Sequence, residues 1–297
     1  MINKGKKMQY KHEIMELIRR RRSHRTFQKM MIDANVQHQI LLELQSLAEP
    51  PFHSDIRIQM IPFQDGDEAL IDALGTYGMI RNPNGFLAGI TGTTFKDLLD
   101  LGYLMEQMVL RLTDMELGSC WLGGSFRKSR FATHLRLPDN LSLPVVVAFG
   151  MIGESRHLVD RIARWTVRSN TRLPWQDLFF DYDFEEFLEK KNLGMYEDAL
   201  EGVRLAPSAS NKQPWRVVKE PKKQVYHFYL KRSKQYHRQG NLLKMTDLQM
   251  IDMGIAMCHF QSVLAAQNID GQWHIENPDM PHVPSGMEYI VSWIETV

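Results

Sequence analysis

The stretch RRRSHRTF, residues 20–27, places four arginines within eight positions of a chain whose formal net charge is only +1. A guanidinium presents a planar fork of donors that matches phosphate oxygens, and a serine hydroxyl adds another short hydrogen bond. The cluster of Arg21, Arg22, Ser23 and Arg25 is therefore suited to a phosphate monoester. The alternative is a solvated basic face. A nucleic-acid surface is disfavoured by the low net charge and by the lack of interleaved aromatic residues.

A second stretch, APSASNKQPW at residues 206–215, concentrates short polar side chains in one loop. Pro207 ends the preceding helix, and Ser208, Ser210 and Asn211 follow it. Serine and asparagine can both donate and accept hydrogen bonds, as the edge of a heteroaromatic ring or a ribityl chain requires. Taken alone, the stretch also suits an ordinary helix-to-strand turn.

Composition narrows the class of protein. The chain has 297 residues, 43% hydrophobic and 24% charged, which is enough for one large or two ordinary globular domains. Its two cysteines, Cys120 and Cys258, are too few for a disulfide scaffold, and we expect both to be buried and inert. No apolar run is long enough to span a bilayer, and the first residues lack a signal-peptide core. We expect a cytoplasmic protein with no membrane or nucleic-acid partner.

The sequence lacks the motifs of several classes of enzyme. The sequence contains no H-E-x-x-H, no C-x-x-C, no Walker loop and no G-x-S-x-G, so metal, nucleotide-triphosphate and hydrolase chemistry are unsupported. His24, inside the arginine cluster, is interpreted as a spacer rather than a catalytic base.

Helical and strand patterns alternate along the chain. In the first half they predict helices at residues 11–21, 36–48 and 97–117, the last ended by Gly118. They also predict strands at 55–63 and 143–153, and a turn followed by a short apolar strand within 82–92. In the second half they predict helices at residues 194–206 and 246–268, and strands at 214–219, 224–231 and 287–295. The mixture indicates the α+β class.

The two long helices align at a constant spacing of 152 residues. The matched pairs are Asp100 with Asp252, Gly102 with Gly254, Met105 with Met257, Leu112 with Leu264 and Trp121 with Trp273. Chance identity between two buried helices is the alternative, but the equal order of elements favours an internal duplication. We therefore predict two halves, 1–165 and 193–297, joined by a crossing linker at 166–192 whose aromatic side chains pack against the protein.

Three segments resemble the FMN-dependent nitroreductase family. RRSHRTF is similar to that family's R-R-S-x-R-x-F opening, and APSASNKQPW is similar to its P-S-S-x-N-x-Q-P-W segment, with Ala209 in place of the middle serine. GYLMEQMVLRLTDMELGSCWLGG resembles the family's long helix and its exit. The resemblance implies the α+β nitroreductase-like fold and an FMN cofactor, with NAD(P)H as transient electron donor.

The resemblance also implies roles for the motif residues. Arg21 and Ser23 would hold phosphate and ribityl oxygens, with Arg22 beside them, and Arg25 would lie near the pyrimidine edge of the flavin. A cation there would stabilise negative charge on the ring. Pro207, Ser208, Ser210 and Asn211 would contact the flavin from the second half.

Further residues are assigned by the same resemblance. Gly123 and Gly124 would allow close backbone approach to the ring, although a plain tight turn is the alternative. Arg161 and Arg164 are candidates for late phosphate contacts, and Arg168 and Arg172 compete with them.

The chain departs from the family pattern in an informative way. The first half has LAEPPFHSDIRIQ where the polar loop should be, while the second half has no Arg-Ser motif. In ordinary members the flavin lies across a homodimer interface. The resemblance is therefore to a tandem, single-chain branch, in which the halves form an intramolecular pseudo-dimer with one composite flavin site and the chain is a monomer.

The implied function is an oxidoreductase that passes hydride from NAD(P)H through FMN to an electron-poor acceptor such as a nitroaromatic or a quinone. No side chain stands out as a general acid, so no catalytic residue is assigned. The alternatives are a non-catalytic flavin store, a redox sensor, or an interaction scaffold without flavin.

Overall fold

The computed structural model describes residues 10–153, 171–232, 246–280 and 282–296. The chain divides into two compact units, Met1–Asn170 and Thr171–Val297. Within the described ranges, no helix is both long enough and apolar enough to cross a membrane.

In its described residues, the first unit combines five α-helices with a four-stranded antiparallel sheet. The helices are α1 (Ile14–Arg20), α2 (Ala34–Gln45), α3 (Glu68–Leu74), α4 (Phe95–Asp114) and α5 (Lys128–His134). The strands are β1 (Arg57–Pro62), β2 (Gly85–Thr91), β3 (Leu117–Leu122) and β4 (Ser142–Met151). Their order in the sheet is β1-β2-β4-β3, which leaves β3 at one edge.

The long helix α4 begins and ends through local side-chain and backbone chemistry. Thr94 and Asp97 form a reciprocal capping box at its start, satisfying free backbone amides there. The predicted stop at Gly118 is wrong. The helix ends at Asp114, Glu116 takes the left-handed turn with φ 62°, and Gly118 lies inside β3.

In its described residues, the second unit repeats the strand order of this sheet with one additional strand. Its helices are α6 (Tyr196–Leu205) and α7 (Leu248–Ala266), with short 3-10 turns at Trp175–Asp177, Lys190–Asn192 and Ala209–Asn211. Its strands are β5 (Phe179–Asp181), β6 (Trp215–Lys219), β7 (Val225–Lys231), β8 (Gly271–His274) and β9 (Met287–Glu295). The sheet order is β5-β6-β7-β9-β8.

Both units share one topology. Apart from the short helices α1, α3 and α5, the first runs α2-β1-β2-α4-β3-β4 and the second α6-β6-β7-α7-β8-β9. The corresponding strands have the same neighbours in each sheet. The added strand β5 pairs in parallel with β6, so residues 171–192 of the predicted linker belong to the second unit. The division at 1–165, 166–192 and 193–297 remains a prediction.

Each unit has its own aromatic core. In the first, Phe86 and Phe131 meet edge to face with ring centroids 5.2 Å apart. In the second, Phe260 from α7 packs between Phe228 and Trp293 from the sheet, at centroid distances of 5.4 and 5.8 Å. In the first unit the pair joins α5 to β2, and in the second the contacts join α7 to β7 and β9. Such packing holds in place the strand ends and loops where the candidate residues lie.

Candidate functional site

The Arg-Ser segment lies along the free edge of β3. Ser23 forms a parallel bridge with Ser119, and the amide of His24 donates to the Ser119 carbonyl at 2.8 Å. Further on, the Phe27 amide donates to the Arg81 carbonyl at 3.0 Å. The segment is therefore held in an extended conformation by backbone bonds, which leaves its side chains available for other contacts.

Arg21 is almost fully buried beside a buried acid. It is 6% exposed, and its Nε lies 3.8 Å from Oε1 of Glu106, which is fully buried on α4. The indole of Trp121 donates to the other Glu106 oxygen at 2.8 Å. Burial lowers the pKa of Arg21, opposed by the charge of Glu106. Because an arginine side chain stays protonated in proteins, this is a preoriented buried cation.

The other arginines of the cluster have different surroundings. Arg22 donates to the carbonyls of Arg19 and Arg21, at the end of α1. Nε of Arg25 is shielded from solvent and has no hydrogen-bond partner among the described residues. Arg20 is instead paired with surface acids of the first unit. Nε of Arg21 likewise has no hydrogen-bond partner among the described residues, so Arg21 and Arg25 each keep a shielded donor.

A small cavity opens against this cluster. It is lined by Arg20, Arg21, Arg22 and His24 together with residues at the end of α4, and its volume is about 60 Å³. It suits a small anionic group, and a whole cofactor requires more space than this cavity alone provides.

The predicted glycine turn follows the other end of β3. Gly123 and Gly124 come directly after Leu122, the last residue of the strand. A Cβ added at Gly124 would meet nothing within 4 Å, and its φ is not in the left-handed region. The fold of this unit therefore does not itself require glycine at 124.

In the second unit, the polar loop between α6 and β6 is tightly folded. The Ser208 hydroxyl accepts the Gln213 amide at 2.8 Å, and the Ala209 amide donates to Oδ1 of Asp252 on α7 at 2.8 Å. Ser210 and Asn211 have φ of 52° and 54°. This is the left-handed region, which residues other than glycine adopt only when surrounding contacts hold them.

The Asn211 side chain ties the loop to the start of the second unit. Its amide donates to the Thr171 carbonyl at 2.8 Å, and Arg172 donates to its oxygen at 3.3 Å. Arg172 also donates to the Leu205 carbonyl at the end of α6, at 2.9 Å. The structure thus places Arg172 on this loop, where it links α6 to Asn211.

The matching loop of the first unit has a different character. Asp100 on α4 accepts the amides of Phe52 at 3.1 Å and Ser54 at 3.0 Å, just as Asp252 accepts that of Ala209. The side chains there are Pro50, Pro51 and Phe52 in place of the serines and asparagine.

The remaining residues predicted from the sequence are three arginines and the two cysteines. Arg161, Arg164 and Arg168 lie outside the described residues. Cys120 and Cys258 are buried, and burial raises the pKa of the Cys120 thiol. In the described ranges, no group of three or more His, Cys, Asp or Glu side chains could hold a metal ion.

A comparison with protein-family models agrees with the resemblance seen in the motifs. A family model described as "Putative TM nitroreductase" matches residues 13–264. The chain belongs to this nitroreductase family. The α+β, nitroreductase-like fold class is thereby confirmed, as is the resemblance seen in the motifs.

Solved structures of related proteins add detail on the fold. A "putative nitroreductase" from Thermotoga maritima is 18% identical, with a TM-score of 0.59, and the match covers 99% of each chain. A nitroreductase with bound FMN from Bacteroides fragilis is 17% identical, with a TM-score of 0.39, over 50% of this chain and 94% of that one. An FMN-dependent nitroreductase from Clostridium difficile is 16% identical, with a TM-score of 0.39, over 50% and 92%. No curated protein matches.

Three acids near the motifs were not assigned from the sequence. Glu106 faces Arg21, and Asp100 and Asp252 each hold a loop. An acidic residue inside an otherwise apolar helix was the available signal, and the alignment of Asp100 with Asp252 already marked two of the three.

Proposed function

We propose that this nitroreductase-family protein is an FMN-dependent oxidoreductase, which passes hydride from NAD(P)H through the flavin to an electron-poor acceptor such as a nitroaromatic or a quinone. The observation that supports the proposal best is the pair of arginines beside β3. Arg21 is buried and preoriented by Glu106, and Arg25 keeps a shielded donor without a partner among the described residues.

These residues fit an anionic cofactor. An unsatisfied buried donor is costly, so natural proteins retain one mainly where a ligand or a special role compensates. The Arg-Ser segment holds three arginines, and Glu106 faces one of them, Arg21. Among the described residues no acid is paired with Arg22 or Arg25, so positive charge is in excess there. Phosphate oxygens are the ligands that such a guanidinium cluster prefers.

The proposed roles follow the family resemblance. Arg21 and Ser23, with Arg22 beside them, would bind phosphate and ribityl oxygens, and Arg25 would place its charge at the pyrimidine edge. The Pro207 to Asn211 loop would contribute Ser208, Ser210 and Asn211, and the Gly123–Gly124 turn would leave room for the ring. Arg161 and Arg164 stay candidates for the phosphate. FMN would supply the hydride chemistry, and the chain would bind and orient it.

We further propose one flavin per chain, because each half carries the motif that the other lacks. In this proposal the two halves act as an intramolecular pseudo-dimer, and the chain works as a monomer on small-molecule acceptors.

Steady-state turnover tests the enzymatic part of the proposal. The chain reconstituted with FMN should oxidise NADH or NADPH in the presence of a quinone or a nitroaromatic well above the rate of free FMN, and it should lose this activity when Arg21 and Arg25 are both changed to alanine. Flavin binding without such turnover would instead identify a flavin store or sensor.

A further inference from the structure

In a buried carboxylate of the second unit, one oxygen accepts a hydrogen bond and the other accepts none from the described residues. Asp252, on α7, is 3% exposed. Its Oδ1 accepts the Ala209 amide at 2.8 Å, while its Oδ2 has no hydrogen-bond partner among the described residues. Burying an acid in this way is costly, so the contact to the loop needs an explanation beyond ordinary packing.

The loop that Asp252 holds has an unfavourable backbone. Ser210, Asn211 and Gln213 have φ of 52°, 54° and 47°, all in the left-handed region. Three such residues within four positions persist only where neighbouring contacts fix the chain. The Ala209 amide lies directly before them, so its bond to Asp252 fixes the point where the strained backbone starts.

The first unit supplies an internal comparison. Asp100 occupies the equivalent helical position and accepts the amides of Phe52 and Ser54. The anchor is therefore common to both units, but in the first it holds a loop that lacks the asparagine and most of the short polar side chains. Comparing substitutions at the two aspartates therefore separates the contribution of the anchor to stability from any contribution to ligand binding.

We propose that Asp252 is a positioning residue for flavin binding: it holds the Ala209 amide and thereby presents Ser210 and Asn211 in the conformation that contacts the cofactor. This inference rests on the proposed function. Asp100 is the same structural anchor without a role in the flavin site.

Matched substitutions test the inference. FMN affinity, followed by quenching of flavin fluorescence, and the free energy of unfolding are measured for the wild type, Asp252→Ala, Asp252→Asn, Asp100→Ala and Asp100→Asn. Asparagine keeps an oxygen for the loop amide, and alanine removes it. We expect Asp252→Ala to weaken FMN binding about tenfold, the equivalent of one lost hydrogen bond, and Asp252→Asn to restore most of it.

Asp100→Ala should lower stability comparably and leave FMN affinity within about twofold, since losses at independent sites remain separate. Equal loss of affinity in Asp252→Ala and Asp100→Ala would overturn the inference, as would an Asp252→Ala protein that binds FMN like the wild type.

Amide hydrogen exchange gives a readout that does not depend on the variants folding. In the flavin-free wild type, the Ala209 amide should exchange slowly because Asp252 holds it, and exchange as fast as in an open loop would contradict the anchor. A wild type that fails to bind FMN while Ala209 remains protected would refute the proposed function and leave the anchor intact, so the two failures are distinguishable.

Discussion

At the residue scale, the arginine cluster separates into two members that the described protein satisfies and two that keep a shielded donor without a hydrogen bond. Arg20 is paired with Glu16 and Glu116 at the surface, and Arg22 donates to backbone carbonyls. Arg21 and Arg25 each retain a shielded Nε without a hydrogen-bond partner among the described residues. The motif predicted these arginines as a group, but only the packing distinguishes their environments.

Arg25→Ala is predicted to weaken FMN binding by about ten- to a hundredfold, the range expected for a lost hydrogen bond to a charged group. It should change the free energy of unfolding little, because it removes a donor that the described protein leaves unsatisfied. Isothermal titration and chemical denaturation measure the two effects. Arg20→Ala is the matched control in the same run, and an equal loss of FMN affinity there would mean that only general charge matters.

His227 gives a pH-dependent prediction. Burial lowers its pKa, although Glu220 at 3.2 Å opposes the shift, and its Nδ1 lies 2.7 Å from the Ser292 hydroxyl. The unfolded chain has the ordinary histidine pKa of about 6.5 and so binds more protons than the folded chain in the window just below it. The free energy of unfolding should therefore decrease as pH falls from 7 to 5. Denaturant titrations should show a shallower decrease for His227→Gln, and an unchanged slope would rule out His227 as the cause.

At the element scale, strand β3 connects two of the predicted motifs. The Arg-Ser segment bridges it at Ser119, and the glycine turn follows its last residue. A Cβ at Gly118 would lie 2.9 Å from the His24 ring, whereas one at Gly124 would meet nothing within 4 Å. His24 thus packs against the strand through a position that must stay small.

Gly118→Ala is therefore predicted to destabilise the protein by about 1–3 kcal/mol through overpacking against His24. Gly124→Ala should stay within about 0.5 kcal/mol of the wild type, as expected for an unhindered surface position, yet it should lower FMN affinity if the flavin approaches this turn. Thermal or chemical unfolding of both variants measures the contrast. Destabilisation by Gly124→Ala as large as that by Gly118→Ala would contradict the packing argument.

Elements with a clear apolar periodicity could be predicted from the sequence, and several short elements without one could not. The helices α4 and α7 and the strands β4 and β9 lie where the apolar pattern indicates. Strand β3 was missed because its six residues, LGSCWL, follow directly after the apolar helix and show no alternation of buried and exposed positions. Strand β8 has only four residues, and its place depends on pairing with β9.

The residues of the candidate site could likewise be predicted only in part. The Arg-Ser and Pro-Ser motifs were visible as clusters of chemically distinctive residues, but the acids that orient them were not. Glu106 lies among apolar neighbours on α4, and its partner Arg21 is far away in sequence. Only tertiary packing brings such a pair together.

At the scale of the whole molecule, two units of one topology have diverged in chemistry. In the first, the Trp121 indole donates to the charged Glu106 that faces Arg21, while in the second the Trp273 indole donates to the neutral Gln261 at 2.8 Å. The acid thus occurs in the unit that has the arginine to balance it. The two units therefore differ in the charge that surrounds the equivalent tryptophan.

One flavin should bind to each single chain. The most direct test measures the mass of the particle and its flavin content on one sample. After incubation with FMN and removal of the excess, light scattering gives the mass and absorbance gives the flavin content. We predict a mass near 34.6 kDa with about one FMN per chain, and loss of the flavin in a variant with Arg21→Ala and Arg25→Ala. A particle of twice that mass with flavin bound, or a folded chain that retains no flavin, would contradict the account.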